Sequence, residues 1–185
     1  MRALGPGSVS SFLAVILDVA RWVLIIAAGA VSLAVVPVLL LSFDPTLVGE
    51  IASRVLPGMD LKGPWIGPLI AALLLVVDLN LAGALVIIGR LRRVFQTLIA
   101  GDPFHPDNVR RLRIIAAALA GLELSRYVLA ALAILVVKHL GLDADQVDVN
   151  GDISINTWFS VLVIAVLAEV FREGARLRRE SELTI

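Results

Sequence analysis

Long apolar runs dominate the chain, at residues 12–43, 65–89, 114–137 and 153–171. Their apolar positions are contiguous and do not alternate with a period of two, which excludes a transmembrane barrel. A helix needs about 20 mostly apolar residues to cross a bilayer. Backbone N–H and C=O groups in lipid must be satisfied locally, which favours helices over open sheets. The first run is uncharged from Trp22 to Leu41, and the fourth is the shortest. The first is also far longer than the roughly 7–15 apolar residues of a signal peptide. Asp18 and Arg21 interrupt the place where such a region would start. It therefore reads as an uncleaved helix. The expected fold is all-α: a polytopic membrane protein, an antiparallel four-helix transmembrane bundle forming one domain over 1–185.

Local signals mark the ends of the runs. Pro37 sits late in the first and is expected to kink it. Asp44-Pro45 marks its exit. Pro64 precedes Trp65, and Pro68 falls in the first turn of the second run, where a missing N–H costs little. Gly141 follows the third. Trp65 and Trp158 lie near expected membrane boundaries, whereas Trp22 does not fit, since its run begins before it. The connecting segments carry a direction. Segment 90–113 holds Arg90, Arg92, Arg93, Arg110, Arg111 and Arg113, and the tail holds Arg172, Arg176, Arg178 and Arg179, with Arg2 on the same side. The opposite side holds Arg54, Lys62 and Lys138. By the positive-inside rule both termini and segment 90–113 are expected in the cytoplasm, with the protein in the inner (plasma) membrane. Of the outer loops, 44–64 is mildly amphipathic through Leu47, Val48, Ile51, Val55 and Leu56, which suits a short surface helix. The other, 143–152, is acidic.

Composition supports this class. Hydrophobic residues make up 59% of the chain and charged residues 17%, with mean hydropathy +0.94. Soluble domains average about 45–50% apolar and about 25% charged. A soluble domain of this length has too much surface to hide such a content, and disordered chains are polar and charged. Sixteen Lys and Arg balance sixteen Asp and Glu, so no chain-wide field is aimed at nucleic acid and no direct nucleic-acid binding is expected. There are no cysteines, hence no disulfides and no thiolate chemistry. His105 and His139 are expected on opposite sides of the membrane and cannot share a metal. The acids of 143–152 lack EF-hand spacing and read as a solvated loop. HExxH, P-loop, GxSxG and strand-to-helix GxGxxG motifs are absent from the sequence. No catalytic set, cofactor or metal is expected, and the chain does not read as an enzyme.

Ionisable residues inside spans are expensive and are functional candidates by default. Here they are Asp18, Arg21, Asp78, Glu123, Arg126 and Glu169, with the polar Asn80 beside them. At about 1.5 Å per residue, Asp78 lies roughly 18 Å from Arg90 and Glu123 roughly 15 Å from Arg113. Both are near the centre of a core about 30 Å thick. Asp78, Glu123 and Arg126 are expected to meet in one layer, with Asp18 and Arg21 joining from the cytoplasmic leaflet. Asp18/Arg21 and Glu123/Arg126 are each three apart and can neutralise one another. Glu169 is expected to reach the interface beside Arg172. Asp78 then either takes Arg126 or stays protonated through desolvation. The cluster is either interhelical glue or the path of a small transporter or channel subunit. The small residues Ala116, Ala120, Gly121, Ala130 and Ala133 permit close packing within one chain or in a homo-oligomer.

Segment 90–113, RLRRVFQTLIAGDPFHPDNVRRLR, is the most distinctive. Its first part continues the second helix, with Leu91, Val94, Phe95 and Leu98 as an apolar stripe. Gly101 is expected to stop that helix. The prolines after Asp102 and His105 enforce a turn. Pro106, Asp107 and Asn108 suit the first turn of the next helix. The arginines are expected to set topology and touch lipid headgroups. Phe104 either packs into the membrane interface or is offered for docking. The run Gly101, Pro103, Phe104, Asn108, Leu112, Arg113 resembles the G-x-P-F-x-x-x-N-x-x-x-L-R signature of the YoaS-like family, small bacterial four-helix membrane proteins of unknown function. That resemblance implies a regulatory membrane protein whose partner is a cytoplasmic helix-turn-helix regulator. Residues Asp102, Pro103, Phe104, Asn108, Arg111 and Arg113 are the expected contact hairpin. The expected partners are thus the lipid bilayer, a cytoplasmic protein and a second copy of the chain.

Overall fold

The computed structural model describes residues 9–42, 44, 46, 50, 54, 66–139 and 153–182. They form α1 (Val9–Leu41), α2 (Ile66–Ile99), α3 (Pro106–His139) and α4 (Ile155–Glu182). No strand occurs among the described residues. Each helix contains a stretch long and apolar enough to cross a membrane: Phe12–Leu40, Gly67–Ile99, Pro106–Leu135 and Ile155–Ser181. The fold is all-α, as the apolar runs require. Large apolar side chains face outward along every helix, Val19 and Ile26 on α1, Leu79 on α2, Val128 on α3 and Leu162 on α4 among them. A water-soluble monomer rarely exposes apolar surface of that extent.

The helices outrun the apolar runs. α2 continues to Ile99, α3 begins at Pro106, and α4 continues to Glu182 through the basic tail. α1 passes through Pro37. Its last turn is closed by Ser42, whose hydroxyl donates to the Val38 carbonyl at 2.6 Å. Just beyond, Asp44 Oδ1 accepts from the N–H and hydroxyl of Thr46. Thr46, Glu50 and Arg54 are helical, and Arg54 pairs with Glu50 at 2.6 Å. This agrees with the expected surface helix at its described positions. Arg2, Phe43, Pro45, Leu47, Val48, Ile51, Val55, Leu56, Lys62, Pro64, Trp65, Gly141 and the acidic loop 143–152 lie outside the described residues.

The chain divides into two compact units. The first takes α1 up to Ile25, α2 from Ala82, α3 up to Glu123, and all of α4. Its core is Leu112 and Ile115 of α3 with Ala168 of α4, packed against by Ile87 and Leu91 of α2 and Phe171 of α4. The second takes α1 from Ile26, α2 up to Leu81 and α3 from Leu124. There α1 and α2 run antiparallel: Ser32 meets Asp78, and Ser42 meets Gly67. The Ser42 contact is close because Gly67 has no side chain. A Cβ on Gly67 would lie 2.7 Å from the backbone Cα of Ser42, whereas one on Gly29 would meet nothing within 4 Å. Small residues let membrane helices approach in this way. Gly67→Val is expected to destabilise the protein by about 1–3 kcal/mol through overpacking. Gly29→Val is expected to be neutral. Melting temperatures of both variants in detergent test the pair, and equal shifts would refute the close contact.

Candidate functional site

The most fully built polar feature is the turn joining α2 to α3. α2 ends in a Schellman motif, with Asp102 N–H donating to the Thr97 carbonyl at 2.9 Å and Gly101 N–H to the Leu98 carbonyl at 3.1 Å. Gly101 supplies the left-handed residue this motif needs, at φ 79°. On the far side, Asp107 N–H donates to His105 Nδ1 at 3.2 Å, so the imidazole caps α3 in the role usually taken by a short polar side chain. Between them sits Asn108, whose residue exposure is 0%. Its Nδ2 donates to Thr97 Oγ1 at 2.7 Å and to the Pro103 carbonyl at 3.1 Å. Its Oδ1 accepts from Arg111 Nη1 at 2.9 Å. The same Arg111 nitrogen reaches the Arg93 carbonyl on α2 at 3.1 Å.

The turn is clasped to α4. Phe104 packs on Phe171, ring centroids 5.8 Å apart and tilted by 54°. It also covers Gly174, where a Cβ would lie 2.5 Å from its ring. Asp102 pairs with Arg178. Glu169 of α4 pairs with Arg172 and, at 3.7 Å, with Arg113 of α3, as expected of an acid at a boundary. Phe104 is therefore partly covered by α4, and Arg111 is turned inward, its side chain 17% exposed. The expected contact hairpin is largely engaged in holding itself together. What it leaves open is a groove of about 460 Å³ where the start of α3 meets the end of α4. Pro106, Val109 and Ala175 line it, with Arg172, Arg176, Arg179, Glu173 and Glu180.

Within the expected buried cluster, Asp18 and Asp78 have partners other than those the spacing suggests. Asp18 does not pair with Arg21 three residues on. It pairs with Arg92 of α2 at 2.7 Å. Arg21 instead lines a cavity of about 400 Å³ with Arg90, Arg92 and Arg93. Since Arg92 lies beyond the second apolar run, Asp18 stands level with the point where α2 leaves that run. Trp22, next along α1, is 66% exposed, as suits an aromatic at a membrane interface.

Asp78 does not take Arg126. Its Oδ2 accepts from Ser32 of α1 at 2.9 Å. Asn80 donates to the Val76 carbonyl at 2.7 Å and accepts from Ser125 of α3 at 2.7 Å. Glu123 is buried at 5% exposure. The Arg126 guanidinium lies 5.4 Å from the Tyr127 ring centroid, within cation–π reach. Sequence reasoning missed Ser32 and Ser125. Helical depth puts each serine within reach of its partner's level but does not say which helices adjoin. Among the described residues no three His, Asp or Glu side chains are placed to hold a metal.

Asn108→Ala removes an acceptor and two donated bonds from a dry site. It is expected to cost about 2–4 kcal/mol and to expose the bonds between Ile99 and Pro106 to protease. Limited proteolysis in detergent with a melting curve tests this. Wild-type resistance would show that the amide does not hold the turn.

The comparison with curated proteins gave no match. The comparison with solved structures gave none either. Among protein families, residues 44–185, which include α2, α3 and α4, match the family described as Protein of unknown function (DUF2975), and the chain belongs to that family.

Proposed function

We propose that this chain is a non-enzymatic, multi-pass protein of the bacterial inner membrane, of the YoaS-like kind, that acts as a regulatory protein by docking a cytoplasmic partner on its arginine-rich end. Both termini and the turn at 100–105 face the cytoplasm in this reading. The excess of arginine in 90–113 and after Phe171 supports that direction. The observation that carries the docking reading is the clasp between the turn and α4, made by Phe104 on Phe171 and by Asp102 with Arg178. It makes the groove between α3 and α4 a preshaped surface. Such a surface loses little loop and side-chain freedom on binding. Arg176 is held by Glu173 and Glu180 and Arg172 by Glu169, but Arg172, Arg176 and Arg179 outnumber the two glutamates of the lining, and that small positive excess suits a partner with an acidic face. The YoaS-like resemblance supports a helix-turn-helix regulator in that role. A transporter built on Asp78, Glu123 and Arg126 has less support, because Asp78 and Asn80 already satisfy Ser32 and Ser125 across helices, as packing residues do.

Topology is directly testable, since the chain has no cysteine of its own. Ala100→Cys is expected to react with an impermeant maleimide only after the cytoplasmic side is opened, and Thr46→Cys in intact spheroplasts. The reverse pattern would overturn the direction. For docking, Arg176→Glu with Arg179→Glu is expected to lower crosslinking to the partner about tenfold or more. Arg54→Glu, at the other end, is expected to leave it unchanged. Equal crosslinking in both variants removes the groove as the docking surface.

A further inference from the structure

The cavity between α1 and α2 is separate from the groove at α4 and has no part in the docking reading. Its polar wall is made by Arg21, Arg90, Arg92 and Arg93. Of these, Arg92 is engaged by Asp18 at 2.7 Å. No other carboxylate pairs with this wall among the described residues, so three guanidiniums share one concave space without a counter-charge. Like charges held together in a half-buried space favour an anion between them. The fork of guanidinium donors matches phosphate oxygens in particular. Gly89 leaves the space open, since a Cβ there would meet nothing within 4 Å. Gln96 adds one uncharged polar side chain, and the rest of the wall is apolar. Ile25 lies one turn beyond Arg21 on α1, and Val86 one turn before Arg90 on α2, and both face outward. The cavity thus grades from arginine to apolar side chains at the level marked by Trp22, where lipid headgroups lie.

We propose that this cavity binds an anionic phospholipid. Its headgroup phosphate is held by Arg21, Arg90 and Arg93, and its acyl chain lies along Ile25 and Val86. The arginines alone would also take a free phosphate, but the apolar wall next to them is of use only to a lipid. Basic pockets between membrane helices bind anionic headgroups by this chemistry. The site differs from a diffuse basic surface in requiring a shape as well as a charge.

The protein is reconstituted in nanodiscs holding equal amounts of phosphatidylglycerol and phosphatidylcholine, and retained lipid is read by native mass spectrometry. Wild type is expected to retain phosphatidylglycerol preferentially. Arg21→Gln with Arg90→Gln is expected to lower that retention about 25-fold, at about fivefold per arginine. Arg110→Gln, an exposed arginine outside the cavity, is expected to leave it unchanged. Gly89→Leu fills the space without altering charge and is expected to lower retention as well, with helix content by circular dichroism as the check on folding. Wild-type retention in Gly89→Leu, or an equal loss in Arg110→Gln, would overturn the proposal in favour of general surface attraction. Displacement of phosphatidylglycerol by millimolar inorganic phosphate would overturn the lipid assignment.

Discussion

The carboxamide of Asn108 is the constraint on which the joint between α2, α3 and α4 depends. It is fully buried, and both of its ends are used, toward Thr97 and Pro103 on one side and Arg111 on the other. A buried amide left unsatisfied costs about 1–3 kcal/mol for each missing bond. The turn therefore has one conformation in which α2, the Pro103 carbonyl and α3 are all correctly placed. Once that conformation is set, Phe104 and Asp102 are directed at α4, and Gly174 provides the space the ring needs. The signature residues Gly101, Pro103, Phe104, Asn108, Leu112 and Arg113 each have an internal task in this joint. The motif that carries the family resemblance is thus a description of how the helix end is built.

A second consequence concerns where the membrane begins on α1. Hydropathy counts from Phe12, which places Asp18 and Arg21 inside the bilayer at high cost. The ion pair between Asp18 and Arg92 removes that cost, because it puts both residues level with the end of α2's apolar run. The uncharged stretch that remains, from Trp22 to Leu41, is about 30 Å long at 1.5 Å per residue. That equals the thickness of a typical hydrocarbon core. The first half of α1 then belongs with the arginine-rich helix ends, and a tryptophan marks the boundary.

Most of what depends on neighbouring residues in the chain was legible in the sequence. The four helices, the stop at Gly101, the start at Pro106 and the escape of Glu169 to Arg172 all follow from local chemistry. The choice of partner between helices was not legible. Spacing gives the face and depth of Asp78 but does not say which helix lies against it. A serine within an apolar run gives no charge signal, so Ser32 and Ser125 went unnoticed while Arg126 drew attention. The Asp18/Arg21 spacing misleads for a related reason. Such spacing permits an ion pair, but a longer reach to Arg92 gave Asp18 a partner on another helix. The packing of Phe104 on α4 was not legible either, because the feature that receives its ring is Gly174, a residue with no side chain to announce itself.

The arginines that set the direction of the chain are divided among distinct uses, and the division narrows where binding can occur. Arg111 is consumed by the turn, Arg178 by Asp102, and Arg172 and Arg113 by Glu169. Arg92 is held by Asp18. A guanidinium committed to a carboxylate of its own chain must give up that bond before it can serve a ligand, so these residues contribute shape more than attraction. Net positive potential is left where no such acid competes, chiefly at Arg21, Arg90 and Arg93. Positive charge beside a membrane is otherwise spread and screened within about 8–10 Å. Concentrated around a concave space at the headgroup level, it becomes a recognition element instead of only a topology signal.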